Sequence, residues 1–260
     1  MNPSVAITAE PGCEHQARRL AQRLGLEYMD HHDPAPPFLL QFAKGRLQLQ
    51  QTGDKAPGPV YVEFAQGKAA HRRRQGEGRK TPLARAAGRK GGFLPDVIDG
   101  TAGLGQDAFV LATLGCRVRL VERSPIIHAL LEDGLRRAAA SPQTGEIVSR
   151  MSLVLADTAE YLRSLPAPAR PDTIYLDPMY PHRGGKALSK KEMQALQKLL
   201  GEDRSGPGLL HVARQTAGKR VVVKRPRKAP FLGGQRADFQ ICAPNTRFDV
   251  YLTAPPADSA

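Results

Sequence analysis

Val97-Ile98-Asp99-Gly100-Thr101-Ala102-Gly103-Leu104-Gly105-Gln106-Asp107 is the stretch on which the fold turns. A short apolar run leads into it, an acid and three glycines punctuate it, and a helix-forming segment, Ala108 to Leu114, leaves it. A strand that ends in a glycine-rich turn and opens a helix is a nucleotide- or cofactor-binding corner. Glycines there let the backbone approach a ligand that any Cβ would block. Taken alone, Gly103-x-Gly105-x-x-Ala108 also fits a dinucleotide fingerprint.

Working outward, residues 95 to 253 have the rhythm of a doubly wound α/β domain. Five strands are expected over Val97–Asp99, Arg117–Val121, Leu153–Leu155, Thr173–Leu176 and Arg220–Val223, with helices between them. Phe239–Cys242 and Phe248–Leu252 then flank Ala243–Arg247 like an antiparallel hairpin. The expected architecture is a mostly parallel, seven-stranded sheet with a C-terminal antiparallel hairpin. Upstream, a strand at Val5–Ile7, a helix through Ala17, Leu20, Ala21 and Leu24 capped by Gly25, and β-like runs at 38–42, 46–50 and 60–64 predict a small α+β subdomain. The expected division is residues 1–66 for this subdomain, 67–92 for a basic connector, and 93–260 for the Rossmann-like domain.

Charge points to the partner. The 260 residues hold 38 Lys and Arg against 25 acids, a net charge of +13, which favours nucleic acid over a membrane surface. Between residues 70 and 90 eight Lys and Arg stand against one acid, Glu77, and glycines are interspersed. Arginine forks and lysine point charges suit phosphates, so His71, Arg72, Arg73, Arg74 and Arg79 are candidate RNA contacts. A second cluster, Lys219-Arg220 and Lys224-Arg225-Pro226-Arg227-Lys228, has six cations and no acid, and Lys224 and Arg225 join that set. The three cysteines lack CxxC spacing, so neither a disulfide framework nor a zinc site is expected, and a reducing cytoplasm fits. His31-His32-Asp33 is adjacent in a Pro-rich loop and is not expected to hold a metal. No signal-peptide pattern and no run of 18 apolar residues occurs, so no membrane association is expected.

In open α/β sheets ligands lie beyond the carboxyl ends of the strands. Four consecutive strand ends carry suitable groups: Asp99 with Gly103 and Gly105, then Glu122, Asp157 and Asp177. An acid at Glu122, 17 residues past Gly105, can accept from a ribose diol, which fits NAD and S-adenosylmethionine equally. Asp157-Thr158 can accept from an adenine amino group. Asp177-Pro178-Met179-Tyr180 separates the two cofactors, because acid-Pro-x-aromatic after the fourth strand is an amino-methyltransferase signature. The carboxylate and the Pro178 carbonyl can accept from an exocyclic amine, aim its lone pair at a methyl group and stabilise the charge developing on nitrogen. Tyr180 offers a face for a flipped base. His182 and Arg183 follow at once and are further candidate RNA contacts.

At this point the chain resembles the ribosomal RNA small subunit methyltransferase J family. The resembling residues include Ala70-His71-Arg72-Arg73, Leu94-Pro95-Asp96-Val97, the run from Thr101 to Ala112, Gly115-Cys116-Arg117-Val118, Glu122-Arg123, the run from Tyr175 to His182, Lys191-Glu192-Met193, Arg220 to Pro226, and Arg247 to Tyr251. They span about residues 60 to 252; the first 60 match only in layout. The resemblance implies methyl transfer from S-adenosylmethionine to guanine N2 at position 1516 of 16S rRNA (usual rRNA numbering), with 16S rRNA or the small subunit as partner. It places cofactor contacts on Gln106-Asp107, Glu122-Arg123, Asp157-Thr158 and Asp177. Gln106 stands where Arg is common, and Asp157-Thr158 where small hydroxyl residues are common. The local chemistry alone reaches amino methylation of a base. DNA or a protein amide as acceptor, a non-catalytic rRNA-binding assembly factor, and a nicotinamide dehydrogenase are the alternatives it leaves open.

Overall fold

A computed structural model describes residues 4–30, 36–54, 56–65, 81–178, 198–200 and 206–253. Among them, one compact unit gathers Met1–Val62 with Ser124–Arg137, and another gathers Glu63–Arg123, Ala138–Tyr180 and Asp203–Ala260.

In the first unit the chain runs β1 (Val5–Ala9), α1 (Glu14–Leu24), β2 (Glu27–Tyr28), β3 (Phe38–Ala43) and β4 (Arg46–Gln51). The sheet order is β2-β1-β3-β4. Helix α1 presents Ala17, Leu20 and Ala21 to the interior at helical spacing and stops at Gly25, whose φ of 63° supplies the left-handed C-cap. β3 and β4 form a hairpin across Lys44 and Gly45, both with positive φ, as a tight two-residue turn demands. The β-like run expected at 60–64 forms no strand. Only Val60 pairs, in a single bridge to Leu49. Pro57 and Pro59 lead into it without N–H donors, and Val62 and Phe64 are buried through their side chains instead. The two-residue strand β2 is an addition to the expected set. In the segment Ser124–Arg137, the buried Asp133 accepts the Leu47 backbone N–H at 3.0 Å and pairs with Arg136 and Arg137.

The second unit holds α2 (Pro82–Ala86), β5 (Asp96–Asp99), α3 (Gln106–Thr113), β6 (Arg117–Glu122), the end of α4 (Pro125–Ala139), α5 (Gly145–Val148), β7 (Met151–Leu155), α6 (Thr158–Ser164), β8 (Thr173–Leu176), α7 (Gly206–Thr216), β9 (Arg220–Pro226), β10 (Phe239–Cys242) and β11 (Thr246–Leu252). Its seven-stranded sheet has the order β10-β11-β9-β8-β5-β6-β7. β5 to β9 are mutually parallel, and β11 runs antiparallel to both β9 and β10. This is the doubly wound sheet with a terminal hairpin that the sequence predicts. β9 is three residues longer than expected and α5 was not anticipated. The sequence also predicts a helix from Lys186 to Leu200, of which only 198–200 lies within the described residues.

Strands in the middle of a parallel sheet are covered on both faces, which explains the unbroken apolar run Val221-Val222-Val223, all fully buried, and Ile174-Tyr175-Leu176 beside it. Each such side chain contributes about 1.5–3 kcal/mol by leaving water. The hairpin is anchored differently. Arg247 and Asp249, 5% and 0% exposed, form a two-point ion pair, and Arg247 also donates to the carbonyls of Pro226 and Arg227.

Candidate active site

Strand order reverses on either side of β5. The chain goes from β5 outward through β6 to β7, then returns to β8 and β9 on the other flank. In open α/β sheets the ligand crevice lies at such a switch point, and the glycine turn lies there at the carboxyl end of β5. Backbone bonds tie the turn to both neighbours. Ala102 donates to the Val121 carbonyl at 3.3 Å and Gly103 to Glu122 Oε2 at 2.9 Å, on the β6 side. Gly100 donates to the Tyr175 carbonyl at 2.9 Å, and the Asp177 N–H donates to Thr101 Oγ1 at 2.6 Å, on the β8 side. The Thr158 hydroxyl donates to the Gly100 carbonyl at 2.6 Å.

Two different constraints require the glycines. Gly103 and Gly105 have φ of 52° and 70°, and Gly105 in that left-handed conformation is the N-cap of α3. Gly100 is required by space. A Cβ there would lie 2.7 Å from Thr158 Cγ2 and 2.9 Å from Leu176 Cδ2.

Register decides which side chains share a face. Partners in a parallel ladder point the same way, and alternate residues return to the same side. Asp99 pairs with Leu120 and Tyr175, and Tyr175 pairs with Val222. Two residues further along each strand are Glu122, Asp177 and Lys224. Asp99, Glu122, Tyr175, Asp177 and Lys224 therefore share one face of the sheet. Asp107 on α3 completes the set. Its Oδ2 accepts from the Tyr175 hydroxyl and from Lys224 Nζ, both at 2.7 Å, and Lys224 Nζ also reaches Asp177 Oδ2 at 2.9 Å.

The electrostatics follow from burial. Asp99 is 2% exposed, and burial pushes its carboxyl up to about 8, with Asp107, Asp177 and Glu122 adding to the effect against the Thr101 N–H. Burial likewise raises the Tyr175 phenol, so it keeps its proton and donates to Asp107. For Lys224, burial pulls downward, but Asp177 and Asp107 outweigh it and the ammonium is held above its usual range. Burial of its inner edge and the charge of Asp107 push the Asp177 carboxyl up, while Lys224 pulls it down. Its side chain keeps 42% exposure, so water on the outer edge tempers the upward push.

The family model described as "Putative SAM-dependent methyltransferase" matches residues 19–253. "Ribosomal RNA small subunit methyltransferase J" of Nitrosococcus oceani is 52% identical over 239 residues, 91% of this chain and 93% of that protein. The protein of the same name from Pseudomonas aeruginosa is 47% identical over 240 residues, 92% of this chain and 91% of that one. The chain belongs to the ribosomal RNA small subunit methyltransferase J family. A crystal structure of a SAM-dependent methyltransferase from Neisseria gonorrhoeae superposes with a TM-score of 0.77 at 36% identity, covering 97% of each chain.

S-adenosylmethionine is accordingly the cofactor, and the donor set of the crevice fits it. The methyl donor carries a sulfonium and an ammonium against one carboxylate. Among the described residues the Lys224 ammonium lies between Asp107 and Asp177, and Asp99 and Glu122 lie on the same face of the sheet. Asp99 keeps its proton, which leaves Asp107, Glu122 and Asp177 as the acids able to carry charge there. A cation-seeking crevice in a chain of net charge +13 is a local inversion of sign.

The structure gathers Asp99, Gly103, Gly105, Asp107, Glu122 and Asp177 at the switch point. Asp157 lies at the end of the neighbouring strand β7, where its Oδ1 accepts the Glu160 N–H as the N-cap of α6. Gln106 and Arg123 are exposed and Pro178 is buried. Two residues expected at phosphates have other partners. Lys224 is held by Asp107 and Asp177. Arg225, on the opposite face by alternation and 5% exposed, donates Nε and Nη2 to the Pro230 carbonyl. His71, Arg72, Arg73, Arg74, Arg79, Tyr180, His182 and Arg183 lie outside the described residues, as do His31-His32-Asp33. Sequence reasoning missed Gly100, Thr101 and Tyr175. The signal for Tyr175 was its place two residues before Asp177, which puts both on one face.

Proposed function

We propose that the chain transfers a methyl group from S-adenosylmethionine to the exocyclic N2 of guanine 1516 in 16S rRNA. The observation that carries the reading is the position of the Asp177-Pro178 turn, tied through Thr101 to the glycine turn and on the same face as Asp99 and Glu122. The names of the relatives supply the RNA, and the net charge of +13 suits it. When bound, the cofactor supplies an electrophilic methyl group. Glu122 receives the ribose hydroxyls and Arg123 flanks them. Asp157, with one oxygen capping α6, offers the other to the adenine amino group. Gly103 and Gly105 admit the donor's backbone-facing edge, and the exposed Gln106 borders it. Asp99, Asp107 and Thr158 shape the corner. Asp177 and the Pro178 carbonyl accept from the guanine amino group, and Asp177 stabilises the positive charge that develops on nitrogen. Tyr180 stacks on the base, while His71, Arg72, Arg73, Arg74, Arg79, His182 and Arg183 follow the phosphates.

Two measurements test this. Labelled cofactor offered with separate rRNA, DNA and protein fractions should mark rRNA alone, and mass mapping should place the label on one guanine amino group. The Asp177→Ala variant should lose roughly 10²–10³-fold or more in single-turnover rate, while S-adenosylhomocysteine binding by calorimetry stays largely intact. Full activity in that variant would sink the mechanism.

A further inference from the structure

The β8–β9 ladder ends on the pair Leu176 and Val223, and the next residue on each chain is Asp177 and Lys224. Lys224 is thus delivered to the acceptor turn by sheet register and not by a loop. Its ammonium lies between two carboxylates from different elements, Asp107 on α3 at 2.7 Å and Asp177 after β8 at 2.9 Å. The Lys224 side chain is 26% exposed, so the contact is shielded more than a surface pair. Asp107 is itself held by the Tyr175 hydroxyl, whose ring is buried, which gives Lys224 a fixed anchor. The ammonium occupies only one oxygen of Asp177, Oδ2.

We propose that Lys224 is the positioning residue of the acceptor turn: it holds Asp177 Oδ2, orients the carboxylate and leaves Oδ1 for the amino group of the incoming base. The assignment rests on the amino-methyl-transfer reading of the Asp177 turn. A carboxylate fixed in this way accepts from the acceptor N–H without reorganising during transfer. The cation also counters the burial and the Asp107 charge that push the Asp177 carboxyl up. Lys224 touches neither donor nor acceptor in this arrangement and acts through Asp177.

The test compares wild type with Lys224→Met, which keeps the stem and removes the charge, and Lys224→Arg, which keeps the charge. The Asp177 carboxyl carbon is followed by NMR across pH, alongside single-turnover methyl transfer to rRNA. In Lys224→Met the Asp177 titration should move up by about one pH unit or more, tenfold in its protonation equilibrium, and the acid limb of the rate should move with it. Lys224→Arg should restore the titration toward wild type, while S-adenosylhomocysteine affinity changes little in either. Lys224→Gln serves if the Met variant does not fold. An unchanged Asp177 titration in the charge-removing variant overturns the assignment, whatever its activity. Failure of the wild-type chain to methylate rRNA would instead overturn the functional reading, since the titration is measured without substrate.

Discussion

Asp99 shows how one buried carboxyl ties stability to pH. In the folded chain it keeps its proton up to about 8, whereas an unfolded Asp releases it near its ordinary value of 3.8. Between those limits the folded state binds the extra proton. Its contribution is therefore fully present below about 4 and is lost as pH rises toward 8, by at most about 1.4 kcal/mol per pH unit. Without cofactor, wild type should lose stability relative to Asp99→Asn between pH 5 and 8 in denaturant titrations. A constant difference would show that Asp99 is ionised throughout. Asp99 was legible as a site residue because it ends a strand before a glycine turn. Its burial was not, because that comes from pairing with β6 and β8, whose positions no local pattern states. Lys224 and Arg225 make the same point from the other side. They read as two members of one cationic run, yet strand alternation sends them to opposite faces, one to carboxylates and one to a carbonyl.

At the scale of elements, α4 carries a glycine in its interior, a position that ordinarily costs a helix about 1 kcal/mol against alanine. Packing explains it. A Cβ on Gly134 would lie 2.3 Å from Val62 Cγ1 and 2.5 Å from Val62 Cβ. Gly134→Ala should therefore destabilise the chain by about 1–3 kcal/mol despite the better helix propensity, seen as a lower Tm. Val62→Ala in the same chain should recover part of the loss, and a raised Tm in the single variant would refute the close approach. Most elements of the large sheet were readable because buried parallel strands announce themselves as apolar runs between turn residues. Val60–Phe64 misled for the same reason, since burial without pairing leaves the same apolar signature. The hairpin of β10 and β11 was legible from its spacing, whereas the Arg247–Asp249 pair that anchors it was not. A buried ion pair looks in sequence like two surface charges.

For the whole molecule the net charge is +13, whereas the switch point gathers acids. RNA affinity should then fall steeply with salt, by roughly tenfold or more between 50 and 200 mM. S-adenosylhomocysteine binding should change far less, because a small zwitterion in a partly buried site is screened less than phosphates on an exposed surface. Filter binding and calorimetry on one preparation would separate the two; RNA affinity indifferent to salt would argue against phosphate contacts. The overall charge was readable at once, but a count of cations does not show that one of them, Arg225, is buried against the Pro230 carbonyl.

The carboxyls gathered by register at the switch point also bear on how a catalytic cycle ends. In the proposed reading Asp107, Glu122 and Asp177 face an occupant that arrives with a sulfonium and departs as a neutral thioether, while Asp99, which keeps its proton, adds no charge. Their attraction is therefore strongest before transfer and weakest after it. Product inhibition should be mild and fresh donor should displace spent donor readily. Turnover at this crevice would then be driven by the disappearance of a charge that the protein was arranged to attract.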